Sequence, residues 1–168
     1  MAMNLIVGQS GGPTAVINSS LAGVYETAKN LGVNKVYGML YGIEGLLQEK
    51  MVDLDDMLGD IMSIELLKRT PSSYLGSCRC KLPTPEQDES VYDTLFRLFD
   101  KYEIGALLYI GGNDSMDTIA KLSAYGARIR SKVRFIGVPK TIDNDLMLTD
   151  HTPGYGSAAK YIATILKE

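Results

Sequence analysis

The stretch Pro139-Lys140-Thr141-Ile142-Asp143-Asn144-Asp145 sets a lysine, a threonine and two aspartates on a short turn behind an apolar run. Nothing in it can pack a core. A carboxylate such as Asp143 can accept the proton of an attacking hydroxyl. Lys140 can neutralise charge growing on a transferred group. Asp145 can orient the turn or hold a metal-bound water. Two other stretches bring complementary chemistry: Gly8-Gln9-Ser10-Gly11-Gly12-Pro13 and Gly111-Gly112-Asn113-Asp114-Ser115. Each follows an apolar run and precedes a helical pattern. Glycines let backbone N–H groups approach a ligand with no Cβ in the way. A helix start behind them adds unpaired donors and a positive dipole end. Either turn alone is equally a tight exit from a strand, and Asp and Asn also serve in Asx-type turns. Neither has the spacing GxGxxG or GxxxxGK[ST], which sets aside the dinucleotide and Walker readings. The three together suit phosphoryl transfer, which needs positioning and charge neutralisation more than covalent chemistry.

Such turns must be brought together by regular elements. Four apolar runs, Asn4–Val7, Lys35–Leu40, Ala106–Ile110 and Arg134–Val138, are continuous rather than alternating. That predicts strands covered on both faces, as in a parallel sheet. Ile17, Leu21, Val24, Ala28 and Leu31 share one helical face, as do Val91, Leu95, Leu98 and Tyr102. Met116 to Ser123, Leu54 to Leu67 and Gly156 to Glu168 also read as helices, the second weakened by Gly59. Alternating strands and helices predict an α/β, Rossmann-like layered domain with a mainly parallel sheet and helices on both faces. In such a sheet ligands bind outside the carboxyl ends of the strands. All three turns belong to that rim. Thr70–Pro85, with three prolines, is long for a plain connection, and loops of that kind are often functional.

The 168 residues make one domain, and an apolar fraction of 45% is enough for a real core. A net charge of −3 with scattered basic residues argues against nucleic-acid or membrane partners. No apolar run approaches a membrane span, and the first residues lack the marks of a signal peptide. Cys78 and Cys80 are too few for a structural zinc and too close for an ordinary disulfide, and read as two cytosolic thiols. His151, the sole histidine, reads as a hydrogen-bonded loop residue.

The ordered set Ser10–Gly12 (SGG), Leu75–Arg79 (LGSCR), Gly111–Ser115 (GGNDS) and Pro139–Asp145 (PKTIDND) resembles the 6-phosphofructokinases, over essentially the whole chain. PKTIDND is the most specific of the four; a GGDG-type turn also occurs in diacylglycerol and NAD kinases, where PKTIDND does not belong. At Asp114 and Lys140, where ATP-dependent members carry glycine, the chain looks like the pyrophosphate-dependent branch. The resemblance implies transfer of phosphate from pyrophosphate to the 1-hydroxyl of fructose 6-phosphate, reversibly, in cytoplasmic glycolysis and with Mg2+. By this likeness the catalytic residues are Asp143, as base, with Lys140 and Asp114. Gly11, Gly12, Arg79, Gly112, Asn113, Asp114 and Ser115 would lie on the donor. Lys140, Thr141, Ile142, Asp143 and Asp145 would lie by the sugar. A carboxylate at Asp114 would repel a nucleotide's α-phosphate. The family's magnesium-binding aspartate aligns with Asn113, a weaker ligand, which leaves Asp114 and Asp145 as substitutes. Family members are far longer, so residues 1–168 are expected to form the N-terminal donor domain. A second substrate domain would lie outside them, the complete protein would be a homo-oligomer, and these residues alone would turn over little. The competing expectations are an ATP-dependent phosphofructokinase and a non-catalytic phosphate- or nucleotide-binding paralogue.

Overall fold

A computed structural model describes residues 3–168. Its centre is a five-stranded sheet of order β3-β2-β1-β4-β5. The strands are β1 (Asn4–Gln9), β2 (Val36–Met39), β3 (Met51–Asp53), β4 (Ile104–Gly111) and β5 (Arg134–Pro139). β1, β2, β4 and β5 run parallel, while β3 pairs antiparallel with β2 at one edge. The helices are α1 (Ile17–Asn30), α2 (Gly42–Leu47), α3 (Leu54–Leu58), α4 (Ile61–Arg69), α5 (Glu89–Lys101), α6 (Asn113–Arg128) and α7 (Tyr155–Ile165). The expected α/β layering holds, with a core on each face of the sheet. Ile6, Leu107 and Tyr109 pack with α2, α5 and α6. Val7 and Ile110 pack with α1, α3 and α4. Successive strand residues thus enter opposite cores, which is why the runs are apolar without alternation.

Several expectations need correction. Leu54–Leu67 is two helices rather than one: α3 ends before Gly59, and Asp60 caps α4 by accepting a hydrogen bond from the Ser63 N–H. β5 is not covered on both faces. It lies at the sheet edge, Arg134 is exposed and Ile136 is 46% exposed. β3 and α2 are elements the apolar pattern does not announce. α6 begins at Asn113, three residues before the periodic stretch, so Asn113 and Asp114 stand in its first turn. His151 is an exposed loop residue, as expected, and stacks on Tyr155 with ring centroids 6.0 Å apart. Both cysteines are free thiols. Among the described residues no helix is long and apolar enough to cross a membrane.

β1 and β4 are neighbours in the sheet but far apart in sequence. The chain leaves β1 toward β2 on one side and later returns to build β4 and β5 on the other. Loops leaving such a pair diverge and open a crevice at their carboxyl ends.

Candidate active site

The crevice is a cavity of about 430 Å³ lined by the turns after β1, β4 and β5 and by Cys78–Cys80 of the long loop. It brings together Gly11, Gly12, Arg79, Gly112, Asn113, Asp114, Ser115, Lys140, Thr141, Ile142 and Asp143. Asp145 does not line it. Its carboxylate lies beside the rim and accepts a hydrogen bond from the Asn113 amide at 3.0 Å.

Each turn has a local reason for its residues. Gly11 sits at φ +76°, and a Cβ there would stand 3.1 Å from the Lys140 Nζ. A Cβ at Gly111 would stand 2.0 Å from the buried Ser115 Oγ. Beside Gly12 the space is open, so a ligand can reach its backbone. α6, whose first residues line the cavity, carries no side-chain N-cap, which leaves donors of its first turn for a ligand.

Lys140 makes contact with both of the other turns. Its backbone N–H donates to the Gly111 carbonyl at 3.0 Å. Its ammonium donates to the Gly12 carbonyl at 2.7 Å, and the side chain is buried. Burial pushes its pKa below the ordinary lysine value, and the negative charge of Asp143 works the other way. A buried cation beside an open glycine turn is a seat for an anion. Lys140 is thus one residue of PKTIDND that the core does accept.

The rest of that turn is partly or fully exposed. Thr141 is anchored: its N–H donates to the Pro153 carbonyl at 2.9 Å and its carbonyl accepts from the Thr152 hydroxyl at 3.0 Å. The Thr141 hydroxyl accepts from the Asp143 N–H at 3.0 Å, which fixes the backbone while the Asp143 carboxylate stays exposed. Asn144, at φ +54°, is the turn residue, accepting from the Thr152 N–H and donating to the Asp150 carbonyl. Ile142 is 53% exposed. Asp114 faces Lys81 across 3.6 Å, both largely exposed, an ion pair of small worth by itself.

Sequence reasoning missed the residues that hold the long loop. Gln9, at the end of β1, and Asn18, in the first turn of α1, are both buried. The Gln9 amide donates to the Ile17 carbonyl and the Asn18 Oδ1, and its Oε1 accepts from the Ser73 hydroxyl and the Leu75 N–H. Asn18 accepts from the Tyr74 N–H and donates to the Thr70 carbonyl. Next along the chain, Ser10 donates to the Cys78 carbonyl at 3.0 Å, and Ser77 donates to the Gly11 carbonyl. The signal was present: a glutamine closing an apolar strand, and an asparagine flanking an apolar helical stripe. Thr14 also lines the cavity, and its buried hydroxyl has no hydrogen-bond partner among the described residues.

The phosphofructokinase family model matches residues 4–168. A Xanthomonas campestris protein named pyrophosphate--fructose 6-phosphate 1-phosphotransferase is 44% identical over 98% of this chain and 39% of its own length. A protein of the same name from Methylococcus capsulatus is 41% identical over 99% of this chain and 40% of its own. The crystal structure of a pyrophosphate-dependent phosphofructokinase from Nitrosospira multiformis superposes with a TM-score of 0.90 at 41% identity, over 98% of this chain and 40% of that one. The chain therefore spans about 40% of the length of the relatives it matches. With this cavity at its switch point and that match along its length, the chain belongs to the phosphofructokinase family.

Proposed function

We propose that the protein moves a phosphoryl group from pyrophosphate to the 1-hydroxyl of fructose 6-phosphate. The observation that carries this is Lys140, a buried ammonium aimed at the Gly12 carbonyl at the cavity wall, with Asp143 three residues away on the exposed side. Pyrophosphate would lie along Gly11–Gly12 and the first turn of α6, its charge met by Lys140 and by Arg79 from the long loop. Asp143 takes the proton of the 1-hydroxyl as the sugar oxygen bonds to the near phosphorus. The bridging P–O bond breaks, and orthophosphate leaves with its charge stabilised by Lys140. In the reverse direction protonated Asp143 returns the proton to the sugar oxygen. Asp114, at the cavity wall, repels the further phosphate of a nucleotide. The same assignment is made by the names of the relatives above, all given for pyrophosphate.

Mg2+ fits the residues present. Among the described residues there is no cluster of three acidic, cysteine or histidine ligands. Mg2+ needs none, because it takes one or two carboxylates and completes its shell with waters and substrate phosphates. Asp145, turned by the Asn113 amide, is the carboxylate we assign to it, with Asn113 as its positioning partner and Asp114 the nearest alternative. When bound, the ion would screen the charge of the transferred phosphate. Two free thiols agree with a cytoplasmic protein.

The test is a comparison of initial rates on fructose 6-phosphate with pyrophosphate and with ATP, using the native full-length protein. Turnover with pyrophosphate and little with ATP is expected. The opposite ranking overturns the donor assignment.

A further inference from the structure

We infer that Gln9, with Asn18 behind it, is a positioning residue that sets Arg79 over the donor. This deepens the pyrophosphate reading above and rests on it. Arg79 is exposed, on a loop with no regular secondary structure between Thr70 and Thr84. A loop of that kind does not hold a long side chain over a cavity by itself. Here it is fastened to β1 residue by residue. Gln9 holds Ser73 and Leu75 through one amide oxygen, at 3.0 and 2.9 Å. Ser10 then holds the Cys78 carbonyl at 3.0 Å, one residue short of Arg79. Gln9 is the deepest of these fastenings, fully buried, and its amide nitrogen is fixed in turn by the Ile17 carbonyl and by Asn18.

The chemistry requires an amide at both places. The Gln9 oxygen faces two donors and its nitrogen faces two acceptors, so no hydroxyl or carboxylate reproduces the set. Packing alone would favour an apolar residue in two fully buried positions. What the amides supply instead is a loop held at several successive points along the end of β1 and the turn that carries Gly11 and Gly12. The donor turn and the arginine above it therefore share one mount. Displacing the loop moves Arg79 while leaving Lys140 and Asp143, on the turn after β5, where they are.

The experiment is a double-mutant cycle in the full-length protein with Gln9→Met and Arg79→Ala, read as KM for pyrophosphate, KM for fructose 6-phosphate and melting temperature. Arg79→Ala alone is expected to raise the pyrophosphate KM by about tenfold or more, since charge-assisted contacts are the strong ones. Gln9→Met is expected to raise it by a similar factor with the sugar KM little changed. In the Arg79→Ala background, Gln9→Met should add less than about twofold, because the residue it positions is gone. Multiplying effects, or a Gln9→Met protein that melts lower but keeps its pyrophosphate KM, overturns the inference and leaves a purely structural role. If Arg79→Ala itself leaves the pyrophosphate KM unchanged, the donor reading of Arg79 fails and the inference falls with it. If Gln9→Met does not fold, Ser73→Ala, which removes one partner of the Gln9 oxygen, is scored in the same cycle. It should shift the pyrophosphate KM in the same direction by a smaller factor, and an unchanged value counts against the inference.

Discussion

Pro139–Thr141 and Ile142–Leu148 are consecutive, yet they behave as two materials. In the first, Lys140 is 4% exposed and its backbone and ammonium both reach other turns. In the second, Met147 is 90% exposed and Leu148 fully so. The difference is one of partners. The first segment still runs beside β4, whose Gly111 carbonyl it meets, while the second has left the sheet and is held chiefly by Asn144. The Lys140 side of the cavity is thus preformed by the sheet, and the side beyond Ile142, where the proposed function places the sugar, is open. Preformed charge is what a transition state can use without reorganisation.

Substitutions of the two chemical residues should separate these materials most strongly. Asp143→Asn should lower kcat by about 10²–10⁴-fold, the range for a general base, with no change in melting temperature, because its carboxylate is exposed. Lys140→Met should cost about 10²–10³-fold in kcat/KM, the range for a lost charge-stabilising donor. Its melting temperature should hold or rise, because a buried charge with no carboxylate within bonding distance among the described residues is removed while the exposed Gly12 keeps a solvated carbonyl. A Lys140→Met protein that melts well below the wild type would show that the lysine holds the turns together instead.

Titration sharpens the same contrast. Burial holds the folded-state pKa of Lys140 below its ordinary 10.5. Between those two values the unfolded chain carries the extra proton, so stability should rise as pH climbs through the window. Use of pyrophosphate should run the other way, since it requires the ammonium, and kcat/KM should fall on an alkaline limb below 10.5. A pH–rate profile for wild type and Lys140→Arg checks this; the arginine limb should move up or vanish.

Smaller effects follow from backbone and surface. Gly11→Ala meets an unfavourable left-handed φ, about 1 kcal/mol, and crowds the Lys140 Nζ, so it should weaken pyrophosphate use as well as lower the melting temperature. Met147→Ser should change stability by less than about 0.5 kcal/mol, as exposed positions do. Denaturant melts of both decide it.

The contrast also explains what could be read in advance. The four parallel strands and the shared rim were legible because Ile6, Val7, Leu107 and Ile110 are apolar on both faces of the sheet. PKTIDND and the glycine turns stood out because they interrupt that pattern. β3 is only three residues long, and α2, with Gly42 and Gly45, has no strong period; tertiary contacts with β2 and α5 sustain them. The split at Gly59 was half visible: glycine warned of it, but Asp60 as a cap shows its role only once the helix turns. Gln9 and Asn18 are noticeable by residue type, but what they hold is not readable because their partners lie at Thr70–Leu75, far off in sequence. The burial of Lys140 was unreadable for the same reason.

The most direct test of the central claim is calorimetric titration of pyrophosphate and of ATP, with Mg2+, into the full-length protein and its Lys140→Met variant. Saturable binding of pyrophosphate that the variant loses, with ATP much weaker, is the predicted result. Tight ATP binding over an intact Asp114, or pyrophosphate bound equally well without the lysine, would contradict it.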